Sequence, residues 1–531
     1  MDASVVAKVK EWIGHCLTTH LACRALVPRQ VRYPTRLLDV RAWHQTGILN
    51  IIQVPKGFDS DYVALSYCWG KKDDWWIQYV EASQQGGWEI EGDKMPQTYQ
   101  DAVAACIALG YSYLWVDCLC IKQGDMDDWL TESAKMSDVY TNAILVISAS
   151  DAVSCGAGFL QDRPPLQRDG AVMHILDDDG TVGLARLCPP NTDFQTLVGD
   201  GPVAQRAWCL QERQLAPRVL HICQAEVFFE CVRCRRYESE KIPGAEFDTS
   251  DESGYHFNIP DRNFHSEAKG KPPGNVVDVL SWFVIVQDYA NRSLFDAGDK
   301  LIAIAGLARR AHDIIKGDYL AGIWRKYVHF GLAWMVENTA IATRAPESPY
   351  RAPSWSWASM DGPVTWKDLG HDMIAKSDYV KTAMDIMDTT VRLAASDPFG
   401  AVLHAELIVS GQLRTASSDM LLHNEVLHYQ IWERESRYWP PSIRGWYLED
   451  EKRPWKNEER ICLNIMTREV FGNSEELVHT VLLLEIAQGP NSDGAHGDGL
   501  DNIKTYKRVG YGEIMAADFF DDCPAQRLRL V

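Results

Sequence analysis

Long apolar runs are missing from this sequence. No stretch reaches the roughly 20 residues a helix needs to cross a bilayer, which excludes a membrane-spanning helix. The amino terminus has no basic segment followed by an apolar core and a cleavage site, so the expected location is cytoplasmic. Basic residues are in deficit, 53 Lys and Arg against 73 Asp and Glu, and no long Lys/Arg run occurs. A net charge of -20 repels a phosphate backbone and excludes a polynucleotide as the natural substrate. Cysteine is sparse and irregularly spaced, 14 in 531 residues, which argues for reduced thiols rather than a secreted disulfide framework. Internal repeats and a phosphate-cradling Gly-Lys loop are also absent, so a nucleotide-driven assembly module is not expected.

The chain is long enough for two or three domains, and a hydrophobic content of 46% suits a globular fold. Its organising stretch is Met95 to Ser150. Pro96 and Thr98 start a helix, Ala102, Val103, Cys106, Ile107 and Leu109 recur at helical spacing, and Gly110 stops it. Tyr113 to Val116 then reads as a strand covered on both faces, ending in Asp117 and the polar loop Cys118 to Gln123. A second amphipathic helix carries Asp127, Asp128, Glu132, Met136, Val139 and Tyr140, and Ala143 to Ser150 is a second buried strand. Strand, helix, strand of this length predicts a right-handed parallel crossover.

Upstream, Val5, Val9, Trp12, Ile13 and Leu17 predict an amphipathic helix. Cys16, His20 and Cys23 follow at i, i+4 and i+7; they fit three ligands of a structural zinc if Cys231 or Cys234 supplies a fourth, although buried thiols and a capping histidine are the plainer reading. Arg36 to Val40 and Ile48 to Val54 predict a hairpin, and Tyr62 to Tyr67 a first central strand whose turn Gly70 permits. Lys71 to Lys94 reads as a loop. Ser150 to Arg206 reads as an insertion with a β-hairpin, followed by a helix from Arg206 and strands at Arg218 to Cys223 and Val227 to Cys231. The expected divisions are 1–60 (helix and hairpin), 61–236 (α/β domain), 237–275 (linker), 276–350 (helical, including Val276 to Ala311 and Ala321 to Val336) and 351–531 (β-rich).

Three blocks carry a family resemblance: YVALSYCWG at Tyr62 to Gly70, PQTYQDA through LWVDCLCIKQ to VY at Pro96 to Tyr140, and RAWCLQERQL at Arg206 to Leu215. In this order they resemble the fungal heterokaryon-incompatibility (HET) domain, and YRAPSWSWASMDG at Tyr350 to Gly362 resembles a tail that often follows it. HET domains are held to be similar to Toll/interleukin-receptor (TIR) domains. The resemblance therefore implies a TIR-like, flavodoxin-like parallel sheet flanked by helices. It also implies a role in non-self recognition and programmed cell death, through self-association and other incompatibility proteins. NAD would be the substrate, hydrolysed to nicotinamide and ADP-ribose without a further cofactor. A non-catalytic signalling scaffold of the same fold is the alternative.

In enzymatic TIR domains a Trp-Cys pair precedes a catalytic glutamate on one helix, and here Trp208 and Cys209 precede Glu212. The resemblance implies Glu212 as the catalytic carboxylate, which would stabilise an oxocarbenium-like sugar and activate water. Its bland alternative is an ion pair with Arg206 or Arg213. Glu132 is the runner-up, although an acidic residue early in a helix is also what the dipole favours. Ser66, Tyr67 and Trp69 suit a ribose hydroxyl and a flat ring, or plain core packing. Asp117 suits a ribose diol or a loop cap, and Gln123 and Gln211 are polar candidates without an assigned step. Cys118 and Cys120 raise a thiol nucleophile, but no histidine lies near them in sequence.

Overall fold

The run Val63-Ala-Leu-Ser66 is buried along its whole length and has a parallel neighbour on each edge, as continuous apolar strands demand. The computed structural model in which this is seen describes residues 1–25, 31–70, 89–163, 171–176, 182–187, 193–239, 247–248, 276–366, 380–417, 420–424, 445–451, 459–470, 473–487 and 503–531. Contacts divide the chain into two compact units, Met1–Asn263 and Phe264–Val531.

The first unit is built on a ten-stranded sheet. In chain order its strands are β1 (Arg36–Asp39), β2 (Ile48–Gln53), β3 (Val63–Ser66), β4 (Glu89–Glu91), β5 (Tyr113–Trp115) and β6 (Leu145–Ser148). A separate antiparallel hairpin, β7 (Ala171–Leu176) and β8 (Val182–Leu187), lies within the insertion. The sheet resumes with β9 (Arg218–Ile222), β10 (Val227–Cys231), β11 (Cys234–Tyr237) and β12 (Phe247–Asp248). The spatial order is β12-β11-β10-β9-β6-β3-β5-β1-β2-β4. Its centre, β5-β3-β6-β9, is parallel throughout, and both wings are antiparallel. The three central strands read from sequence are thus parallel in one sheet, with the expected β1–β2 hairpin beside them. Among the four parallel strands the chain order is 2-1-3-4, so a topological switch point falls between β3 and β6.

The helices follow from local chemistry. Helix α1 (Ala3–Thr19) is capped by the Asp2 side chain, buries Val5, Val9, Trp12, Ile13 and Cys16, and is followed by the short α2 (Leu21–Ala25). The helix Gln97–Leu109 begins after Pro96 and ends at Gly110, whose φ of 93° is left-handed. Where one amphipathic helix was expected around Glu132 there are two, Met126–Ser133 and Met136–Asn142. The chain breaks where Lys135 turns to bond both Glu132 and Thr35. Of the expected loop Lys71 to Lys94, residues 71–88 lie outside the described residues, while 89–94 form β4 and a single 3₁₀ turn.

The second unit carries two longer helices, Val276–Ala290 and Ala305–Ile315, and a nine-stranded, mainly antiparallel sheet between Val380 and Leu530. This is the expected β-rich carboxy-terminal region. Ala321 to Val336, expected to be helical, is instead two short strands around the one-turn helix Val328–Gly331. The reason is at Gly322, whose φ is 107° and whose carbonyl accepts indole N–H bonds from Trp282 (3.1 Å) and Trp357 (2.9 Å). That carbonyl is therefore withdrawn from any helical ladder. Trp355 and Trp357 of the SWSW segment are fully buried, so this segment is part of the core of its unit.

Candidate active site

Each central strand ends in polar residues at the same edge of the sheet. Strand β3 runs out through Ser66, Tyr67, Cys68 and Trp69 to Gly70, whose φ is 88° and where a Cβ would come within 2.5 Å of the Ser154 Cβ. Strand β5 runs through Val116 into Asp117 and a short helical turn, Asp117–Cys120. The helix Ala207–Leu215 lies between β6 and β9 in the chain, with Arg206 at its amino terminus. The three sequence blocks converge here, at the carboxyl ends of the parallel strands beside the switch point.

Asp117 is buried and well supplied with donors. It accepts from the Tyr67 hydroxyl (2.8 Å), the Trp69 indole Nε1 (2.9 Å) and the Cys118 backbone N–H (2.7 Å). Tyr67 and Tyr99 share a hydroxyl contact of 2.9 Å, and the Tyr99 hydroxyl contacts the Cys118 thiol at 2.7 Å. Arg206 donates to the Tyr67 carbonyl, sits 5.4 Å from the Trp69 ring centre and approaches the Cys209 thiol at 3.8 Å.

Glu212 completes the group. Its carboxyl, only 3% exposed, is hydrogen-bonded by Ser66 and Cys209 and feels the charges of Arg206 and Asp117. Burial pushes its pKa up to about 7, and the Asp117 charge adds to this; Arg206, Ser66 and Cys209 pull in the other direction. Burial also raises the pKa of Asp117, against the pull of Arg206, Tyr67, Cys118 and Trp69. One guanidinium thus serves two carboxylates. With both ionised the cluster carries a net negative charge in a dry setting, and a proton on Glu212 removes it.

Ser66, Tyr67, Trp69, Asp117 and Glu212 are therefore brought together. Trp208, one turn before Glu212, packs edge-on against Trp129 with ring centres 5.9 Å apart. Gln123 bonds the Ile121 carbonyl at 3.1 Å. Glu132 is held by Thr35 (2.5 Å) and Lys135 (2.9 Å), and the other expected partner of Glu212, Arg213, instead grips Glu230. Burial lifts the Cys120 thiol to about 12 and also raises Cys118 well above the ordinary thiol value, which opposes the thiolate a nucleophile needs. A cleft of about 190 Å³ lined by Asp61, Tyr62, Ile144 and Arg218 opens at the opposite, amino-terminal edge of β3 and β6.

Tyr99 escaped the sequence reading, Cys209 entered it only as half of the Trp-Cys pair, and Arg206 only as a counter-ion for Glu212. All three lie inside the recognised blocks, so block membership was the available signal. A second buried constellation had none. The Ser150 hydroxyl lies 3.2 Å from His221 Nδ1, and His221 Nε2 lies 3.1 Å from Glu230. The order Ser, His, Glu resembles a hydrolase triad, but Ser150 is 1% exposed and Glu230 is claimed by two arginines, so the arrangement is a structural network.

Residues 62–212 match the family model described as Heterokaryon incompatibility protein (HET). This segment is a HET domain. It begins at the first central strand, whose carboxyl end supplies Ser66, and ends at Glu212, so its first and last elements both contribute to the cluster just described. The family is linked to heterokaryon incompatibility and cell death. No curated protein and no solved structure matches the chain. Among the described residues no helix is long and apolar enough to cross a membrane.

Proposed function

We propose that the HET domain hydrolyses NAD to nicotinamide and ADP-ribose, with Glu212 as the catalytic carboxylate. The observation that carries this reading is a buried glutamate, its pKa pushed up to about 7 by that burial, at the carboxyl edge of a parallel sheet beside a serine hydroxyl and an arginine. The 2-1-3-4 strand order supports a TIR-like, flavodoxin-like reading of the domain. In the reaction the bond from ribose C1′ to the nicotinamide nitrogen breaks, and its electron pair neutralises the pyridinium. The ionised Glu212 stabilises the cationic sugar left behind and takes a proton from the water that adds at C1′. Ser66 orients the carboxylate, Trp69 offers a ring face, and Asp117 is the candidate for a ribose diol. Self-association in the cytoplasm, together with other incompatibility proteins, would couple this activity to cell death.

The deep burial of Ser66, Asp117 and Glu212 favours a second reading, a signalling scaffold in which the cluster only holds β3 to the helix Ala207–Leu215. Nicotinamide release separates the two. Purified protein at high concentration should release nicotinamide from NAD, and Glu212→Gln should lower the rate by roughly two to four orders of magnitude. A Gln variant that still kills cells on overexpression, with no nicotinamide released by either protein, would establish the scaffold.

A further inference from the structure

The end of α1, the short α2 and the far end of β10 bring four metal-ligating side chains together. Cys16 lies in the last turn of α1, His20 at the break after it, Cys23 in α2, and Cys231 is the last residue of β10. All four are buried, and their ligand atoms lie within 4.8 Å of one another. His20 Nδ1 stands 3.4 Å from the Cys231 thiol. Ideal tetrahedral zinc places neighbouring sulfur and nitrogen ligands about 3.6 Å apart and neighbouring sulfurs about 3.8 Å apart, so the set is close to coordinating geometry.

We propose that Cys16, His20 through Nδ1, Cys23 and Cys231 bind one zinc ion that clasps the amino-terminal helix to the end of β10.

The chemistry selects the metal and its role. Three soft thiolates and one imidazole form a closed set of four, which suits zinc and leaves no open position for water, so the ion is structural rather than catalytic. The break at His20 serves the site. A continuous helix would keep Cys16, His20 and Cys23 on its own surface, whereas the extended φ and ψ of His20 (-87° and 97°) re-aim the chain between the two helices. A supporting layer is present in the turn between β10 and β11. The Cys234 backbone N–H donates to the Cys231 sulfur at 3.4 Å, and the Arg233 backbone N–H bonds Cys23, as outer partners of a metal-bound thiolate do. Cys234 itself lies 3.7 Å from Cys231, outside the set of four, and all four sulfurs are free thiols rather than disulfides.

Cys231 and Cys234 thus have different assignments, and the difference is the test. The full chain purified without chelator should carry one zinc ion by elemental analysis. Cobalt(II) exchanged into it should give the absorption of a tetrahedral site with three thiolates. Cys231→Ser should lose the metal, whereas Cys234→Ser should keep a full equivalent. If Cys231→Ser proves insoluble, the wild-type stoichiometry, the cobalt spectrum and Cys234→Ser still decide the matter. Chelation should lower the melting temperature of wild type and Cys234→Ser alike. The proposal fails if wild type holds less than about a tenth of an equivalent and takes up no added zinc. It fails equally if Cys16 and Cys23 are found joined in a disulfide, or if Cys234→Ser empties the site.

Discussion

Glu212 and Glu230 are two buried glutamates in the same unit with opposite electrostatic circumstances. Glu230 is gripped in two-pronged fashion by Arg213 (2.8 and 3.0 Å), again by Arg235 (3.2 Å), and by His221. Glu212 has a hydroxyl, a thiol and a single guanidinium that Asp117 also uses. The two guanidinium groups around Glu230 tie β9 and β10 to the helix Ala207–Leu215. Under-supply leaves Glu212 able to gain or lose a proton near neutrality. A buried carboxylate whose charge is only half answered contributes little to stability, and such a group is suited to chemistry.

Removing each charge should expose the contrast, with the largest effect at Glu230. Glu230→Gln leaves Arg213 and Arg235 without their anion and should lower unfolding free energy by about 3–5 kcal/mol in denaturant titrations. A loss below about 1 kcal/mol would mean that this network is as weak as an exposed pair.

Glu212→Gln should behave in the opposite sense, and its effect should depend on pH. A glutamate whose folded pKa of about 7 lies above its ordinary 4.5 holds, between those values, a proton that the unfolded chain has released. Wild-type stability therefore falls as pH rises through that window and levels off above it, by about 3 kcal/mol in all. The Gln variant lacks this term. It should match wild type near pH 4.5 and become more stable than wild type by pH 8, read as the difference between their unfolding curves. Equal pH dependence of the two proteins would show Glu212 ionised throughout. A smaller change at the same site is Ser66→Ala, which removes one donor to the carboxylate. It should move the Glu212 titration upward by about half to one pH unit, followed by isotope-edited infrared spectroscopy.

The sequence spoke clearly where one local rule decided the outcome. Continuous apolar runs located β3, β5 and β6, Gly110 marked a helix end, and the blocks around Ser66, Asp117 and Glu212 pointed to residues that the fold brings together. It was silent where partners meet only through tertiary packing. His221 reaches Glu230 across the β9–β10 pairing, and no spacing rule announces that contact. Ala321 to Val336 misled because apolar spacing suggested a helix, while two distant tryptophans claimed the carbonyl of Gly322. Cys16, His20 and Cys23 were legible as a triplet, but the choice between Cys231 and Cys234 required the turn that holds them.

The central claim is that Glu212 performs its chemistry as an anion that becomes protonated near neutrality. The pH dependence of kcat/KM for nicotinamide release from NAD tests it most directly, since that parameter reports ionisations of the free enzyme. The account predicts a rate that climbs about tenfold per pH unit on the acid side, levels off above an apparent pKa near 7, and loses this limb in Glu212→Gln. A profile that is flat from pH 5 to 8, or an equally steep limb retained by Glu212→Gln, would contradict it.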